Sequence, residues 1–218
     1  MRYPCLVLDH DDTVVNSTAC VHFPCFVEYM AQFRPEVHYT LEEYFLKNFD
    51  PGVYALFHDL VGLSDEEMEH EQAYWRAYVR THVSTAFDGM RELLWDYKRA
   101  GGHICVSSHS YSENILRDYR ENGLPEPELI FGWELPREKR KPEPYSLLQI
   151  LDRYGLPPRE VLMVDDLKPG YDMARACGVP FAAAGWANDI PEIESFMRRN
   201  CDHYCKTVAE LRAILFDN

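Results

Sequence analysis

The sequence predicts an α/β protein: a Rossmann-like parallel sheet with helices on both faces, carrying an inserted helical domain after its first strand. Three observations carry that expectation. From Gly89 onward short apolar runs alternate with helical stretches, the order that a helix-covered parallel sheet requires. Near the N-terminus Tyr3-Pro4-Cys5-Leu6-Val7-Leu8 reads as a short buried strand that must join the same sheet. Between these, from about Val21 to His82, the chain is helical in texture and poor in strands. The expected division is a core of residues 1–17 and 86–218 with residues 18–85 inserted.

The elements follow in order. The first strand stops where Asp9-His10-Asp11-Asp12-Thr13 begins. In the insertion, Thr40-Leu41-Glu42-Glu43 and Ser64-Asp65-Glu66-Glu67 read as capping boxes, in which the hydroxyl and the third-position Glu satisfy orphan N–H groups reciprocally. Asp50-Pro51-Gly52 breaks the run between them, and Met68, Trp75, Tyr78 and Val79 recur at helical spacing. A helix over Met90–Ala100 ends at Gly101-Gly102, and the strand His103–Val106 follows. The next helix is expected near Ser110, with Glu113 as its capping partner, and ends before Gly123. Leu129–Phe131 is a short strand. Pro142 suits the first turn of a helix that runs to Tyr154 and stops at Gly155. Val161–Val164 is the clearest buried strand, and a helix ending at Cys177-Gly178 leads to the strand Val179–Ala182.

Bulk properties exclude several function classes. A net charge of −14 argues against a broad nucleic-acid footprint, which needs a basic face. No stretch approaches membrane-spanning length and no long apolar leader precedes the first strand, so no membrane role and a cytoplasmic address are expected. Seven scattered cysteines predict reduced thiols and no disulfide framework. Cys201, His203 and Cys205 lack the second ligand pair that a metal site needs.

The chemistry-bearing residues sit at strand ends, which converge in a parallel sheet. Asp9, Asp11 and Thr13 follow the first strand, and Ser107 and Ser108 the second. Lys141 lies downstream of the third, and Asp165 and Asp166 close the fourth. Carboxylates this close repel one another unless they share a cation, which anticipates Mg2+. Acids, hydroxyls and one ammonium are the inventory that holds Mg2+ and a phosphoryl group together.

Four segments then resemble the motifs of the haloacid dehalogenase superfamily of phosphohydrolases, over nearly the whole chain. They are Leu8-Asp9-His10-Asp11-Asp12-Thr13-Val14, Ile104-Cys105-Val106-Ser107-Ser108, Lys141-Pro142-Glu143-Pro144 and Val164-Asp165-Asp166. Ala86-Phe87-Asp88-Gly89-Met90 looks like the hinge by which the family's helical C1 cap, here residues 18–85, returns to the core. The resemblance, to the phosphatase branch with such a cap, implies a Mg2+-dependent phosphohydrolase acting on a small phosphorylated metabolite. It assigns Asp9 as nucleophile and Asp11 as acid and then base. Metal would be held by Asp9, Asp11, Asp165 and Asp166. Ser107, with the adjoining backbone N–H, Ser108 and Lys141 would hold the phosphoryl oxygens, and Thr13 would fix the loop. Two positions depart from the family pattern: Asp12 stands where Gly is usual, and Gly170 where an acid is common. A phosphomutase of the same fold and a catalytically silent binding protein remain as alternatives.

Overall fold

The computed structural model describes residues 2–216. It divides into two compact units, Met1–Asn16 with Thr85–Asn218, and Ser17–Ser84. In chain order the elements are β1 (Cys5–Leu8), β2 (Val15–Asn16), α1 (Phe23–Phe33), α2 (Leu41–Phe49), α3 (Val53–Ala55), α4 (Asp65–Val79), β3 (Thr85–Ala86), α5 (Met90–Arg99) and β4 (His103–Ser107). They continue with α6 (Ser112–Glu121), β5 (Leu129–Phe131), α7 (Tyr145–Tyr154), β6 (Val161–Asp165), α8 (Lys168–Cys177), β7 (Phe181–Ala184), α9 (Pro191–Asn200), β8 (His203–Cys205) and α10 (Val208–Phe216).

Six parallel strands form the sheet of the larger unit, in the order β5-β4-β1-β6-β7-β8. Every residue of β1 and β6 is buried. Successive side chains point to opposite faces, so both faces of these strands are covered, as an α/β sheet demands. Leu6, Leu8, Ile104, Val106, Leu162 and Val164 join Leu93, Leu94 and Tyr97 of α5 in one apolar cluster. Burying each large aliphatic side chain contributes roughly 1.5–3 kcal/mol. Register matters most for function. Leu8 pairs with Val106 on one side and with Val164 on the other, so Asp9, Ser107 and Asp165 emerge abreast. β1 lies where the strand order reverses, the usual place for a site in such sheets.

Two short strands, β2 and β3, pair antiparallel at the points where the chain leaves and re-enters this unit. α7 and α8 end at Gly155 and Gly178, whose φ values of 62° and 66° give the left-handed turns that glycine tolerates. Three details differ from expectation. Pro142 lies in the turn before α7, which starts at Tyr145. β7 begins two residues later than the apolar run at Val179. Ser110 does not cap α6, whose N-cap is Tyr111 without a side-chain bond, because its hydroxyl is engaged elsewhere.

In the smaller unit both expected capping boxes form, at Thr40/Glu43 and Ser64/Glu67. Its core is largely aromatic: Phe26, Tyr29, Met30, Tyr44, Leu56, Phe57 and Leu63 cluster together. α2 ends at Phe49, ahead of the Asp50-Pro51-Gly52 break.

Candidate active site

The loop after β1 is tightly wound. The Asp9 N–H extends the sheet to Val164 O at 2.9 Å, then Val14 and Val15 both donate back to His10 O, and Asp12 N–H reaches Val15 O at 2.7 Å. Asp12 takes φ 56°, alone among the described non-glycine residues in a left-handed conformation. Asp is one of the few side chains that tolerate that region, which explains how the turn survives without glycine. Thr13 donates to Asp166 Oδ1 at 3.3 Å, and Trp186 Nε1 donates to Thr13 O at 3.1 Å, so Thr13 ties the loop to the end of β6.

Lys141 is the hub. Its side chain is buried, with Nζ 2.5 Å from Asp165 Oδ2 and 2.8 Å from Asp9 Oδ1. Burial opposes its charge, but the Asp165 and Asp9 carboxylates outweigh that and raise its pKa. The contact to Asp9 is an ion pair outside hydrogen-bonding geometry, and among the described residues Asp9 Oδ1 has no hydrogen-bond donor. Burial pushes the Asp165 carboxyl up to about 7, with Asp9 adding to the rise and Lys141 countering it. Asp166 is pushed well up by burial, then by Asp12, Asp165 and Asp9. Leu167 N–H holds Asp165 Oδ1 at 2.8 Å.

Asp9, Asp165 and Asp166, all buried, each offer an oxygen within 4.8 Å of the others. Among the described residues, three buried carboxylates face one ammonium, that of Lys141, and Asp9 Oδ1 lacks a hydrogen-bond donor. That donor set suits a hard divalent cation such as Mg2+, which takes oxygen ligands and would neutralise the excess charge.

Across the site, Ser107 Oγ lies 2.8 Å from Ser146 Oγ, which donates on to Met173 Sδ. The Ser108 N–H is committed to Phe131 O, and Ser108 Oγ accepts from Ser110 N–H at 3.1 Å. The backbone donor expected beside Ser107 is therefore occupied by the sheet. Ser110 is the residue that sequence reasoning placed in a different role. Its hydroxyl donates to Asp11 Oδ2 at 2.5 Å, where a helix cap was expected. His109 lies outside the motif residues that the sequence points to. Its Nε2–H donates to Lys141 O at 3.0 Å, and burial and the Lys141 ammonium lower its pKa to about 4, leaving a neutral ring. A histidine next to a motif serine was the only available signal for it.

A profile of the family described as haloacid dehalogenase-like hydrolase matches residues 6–184. The chain is 33% identical over 111 residues to a phosphoglycolate phosphatase of Thiobacillus denitrificans, covering 50% of this chain and 48% of that one. It is 31% identical over 153 residues to a phosphoglycolate phosphatase of Nitrosospira multiformis, covering 64% and 63% respectively. The chain thus matches between about half and just under two thirds of these relatives' length. A crystal structure from Bacteroides fragilis, described as a haloacid dehalogenase-like hydrolase, superposes with a TM-score of 0.79 over 96% of this chain and 99% of that one, at 23% identity. With the profile spanning most of its length, the chain belongs to the haloacid dehalogenase-like hydrolases.

Proposed function

We propose that this protein is a Mg2+-dependent phosphohydrolase that cleaves a small phosphorylated metabolite through an aspartyl-phosphate on Asp9. The observation that carries the reading is the buried Lys141 ammonium, shared by Asp9 and Asp165 beside Asp166 at the ends of the central strands. The two phosphoglycolate phosphatases among its relatives support a phosphate monoester as substrate.

In this reading an Asp9 oxygen attacks phosphorus in line, and the bond from phosphorus to the substrate oxygen breaks. Asp11, held by Ser110, gives its proton to the leaving oxygen. It then takes a proton from water as that water attacks the aspartyl-phosphate, returning Asp9 and releasing inorganic phosphate. Lys141 pairs with Asp9 and stabilises charge on the transferring group. Asp9, Asp165 and Asp166, with Asp11, would hold Mg2+, which when bound supplies positive charge against the phosphoryl oxygens. Ser107 and Ser108 line the same strand end as candidate phosphate contacts, and Thr13 holds the loop. We assign residues 1–17 and 86–218 as the catalytic core and 18–85 as a cap that selects the substrate.

A screen of phosphorylated metabolites with and without Mg2+ tests this, with Asp9→Asn as control. Mg2+-dependent phosphate release by the wild-type chain and none by Asp9→Asn is expected. Wild-type rates from Asp9→Asn would overturn the assignment. Recovery of an isomeric sugar phosphate in place of inorganic phosphate would identify a phosphomutase.

A further inference from the structure

His10 stands between the two loop acids, yet among the described residues its side-chain partners, Asp118 and Tyr119, lie on α6. It is buried, and its Nε2 is 3.2 Å from Asp118 Oδ2. A carboxylate only accepts, so the proton of that bond is on Nε2. Asp118 is buried as well, and Arg117 holds its other oxygen through Nε at 2.9 Å and Nη2 at 2.7 Å. The His10 ring stacks against Tyr119, with centroids 6.0 Å apart. Among the described residues neither His10 Nδ1 nor the Tyr119 hydroxyl has a hydrogen-bond partner. An unpaired buried polar atom costs about 1–3 kcal/mol, so core packing alone gives no reason for an imidazole here. An apolar ring would fill the same space without that cost.

The geometry does give a reason. The segment leading into α6 touches the loop at Ser110, through Asp11, and α6 touches it again at Asp118, through His10. One contact would let the loop pivot, whereas two set its tilt as well as its distance. The same segment continues from β4, which carries Ser107 and Ser108. We propose that Asp118 is a positioning residue that acts through His10 to hold the Asp9–Asp11 loop in register with the β4–α6 segment. Neither side chain touches reacting atoms. The kinetic consequence rests on the phosphatase reading, while the loop geometry does not.

The test compares wild type with Asp118→Leu, His10→Phe, His10→Gln and the double variant Asp118→Leu/His10→Phe. Leu keeps the side-chain size at 118 and removes the acceptor; Phe keeps the ring volume and removes the donor, whereas Gln keeps a donor. Two measurements are made: amide hydrogen exchange at residues 9–12, and Mg2+-dependent hydrolysis of an aryl phosphate well below each protein's Tm. In Asp118→Leu and His10→Phe, exchange at residues 9–12 should rise about 10-fold or more as the loop opens locally. Their kcat should fall about 10-fold or more with KM within about twofold, since small misplacements of reacting groups are costly. His10→Gln should stay within about threefold of wild type in both measurements. The double variant should be no worse than either single change, because both cut one link. Unchanged exchange in Asp118→Leu and His10→Phe overturns the proposal, and so does additivity in the double variant. Wild type without phosphate release but with the expected exchange order would remove the phosphatase reading and leave the positioning intact. Should Asp118→Leu not fold, His10→Phe carries the comparison.

Discussion

Position 170 shows how one side chain dictates another. A Cβ built on Gly170 would lie 2.1 Å from Asp165 Oδ2 and 2.7 Å from Asp165 Cβ. That carboxylate cannot swing aside, because Lys141 Nζ and Leu167 N–H hold its two oxygens. An acid at 165 therefore excludes any side chain at 170. The motif pattern that the sequence resembles commonly carries an acid at this place. Gly170→Asp alone should cost about 1–3 kcal/mol through overpacking and weaken Mg2+ binding. Asp165→Gly/Gly170→Asp should recover part of both losses by returning one acid to one space. Denaturant unfolding and Mg2+ calorimetry read the two variants, and a Gly170→Asp protein as stable as wild type would refute the argument. Lys141 gives a second expectation at this scale. Lys141→Met strips the ammonium from buried carboxylates, so it should destabilise by about 3–5 kcal/mol and lower phosphate release about 100-fold or more. The stability loss should be smaller at pH 5 than at pH 8, since Asp165 can then take up a proton.

At the scale of elements, signals confined to a few residues were readable and pairings across the chain were not. The apolar run of β6, the glycine stops of α7 and α8 and the two capping boxes depend on neighbours, and each stands where the sequence implied. The sequence points to a helix cap at Ser110 because its partner, Asp11, is 99 positions away, and a serine ahead of a helix looks the same whichever bond it makes. α4 carries a further consequence of the same kind. Glu71 is half-buried with no hydrogen-bond or ion-pair partner among the described residues, and burial pushes its pKa up to about 7. Burial first, and then the Glu71 charge, raise the pKa of Cys25 and Tyr29 on α1. A carboxyl whose folded pKa exceeds its unfolded value near 4.3 favours the folded state at low pH, and that contribution is lost as pH rises toward 7. Glu71→Gln should therefore stabilise the protein by about 1–2 kcal/mol at pH 8 and hardly at all at pH 4. Thermal unfolding at the two pH values checks this, and an equal effect at both would show that the charge is already compensated.

At the scale of the whole molecule, the parallel register turns four scattered segments into one site. Leu8, Val106 and Val164 lie level, so whatever follows them meets at the sheet edge. That much is implied by the βα alternation, and the motif resemblance already groups Asp9, Asp165 and Asp166; the strand order supplies the spacing, with their oxygens within 4.8 Å of one another. Its titration links the site to global stability. Burial raises Asp165 to about 7 and raises Asp166 well above its usual range, so between pH 4 and 7 the folded state binds more protons than the unfolded one. Stability from these groups falls as pH climbs through that window. His109, lowered to about 4, works in the opposite sense, losing stability as pH drops from about 6.5 toward 4. The absolute Tm thus mixes two trends, and only the difference between Mg2+ and EDTA isolates the carboxylates. Protons and Mg2+ compete for the same oxygens, so the metal-dependent gain should grow from pH 5 to pH 8. It should reach about 2.7 kcal/mol where Mg2+ stands at a hundred times its Kd. Asp165→Asn removes one of the competing titrations and should flatten that growth. A gain that is flat with pH in the wild-type chain would mean that the metal does not bind at these carboxylates.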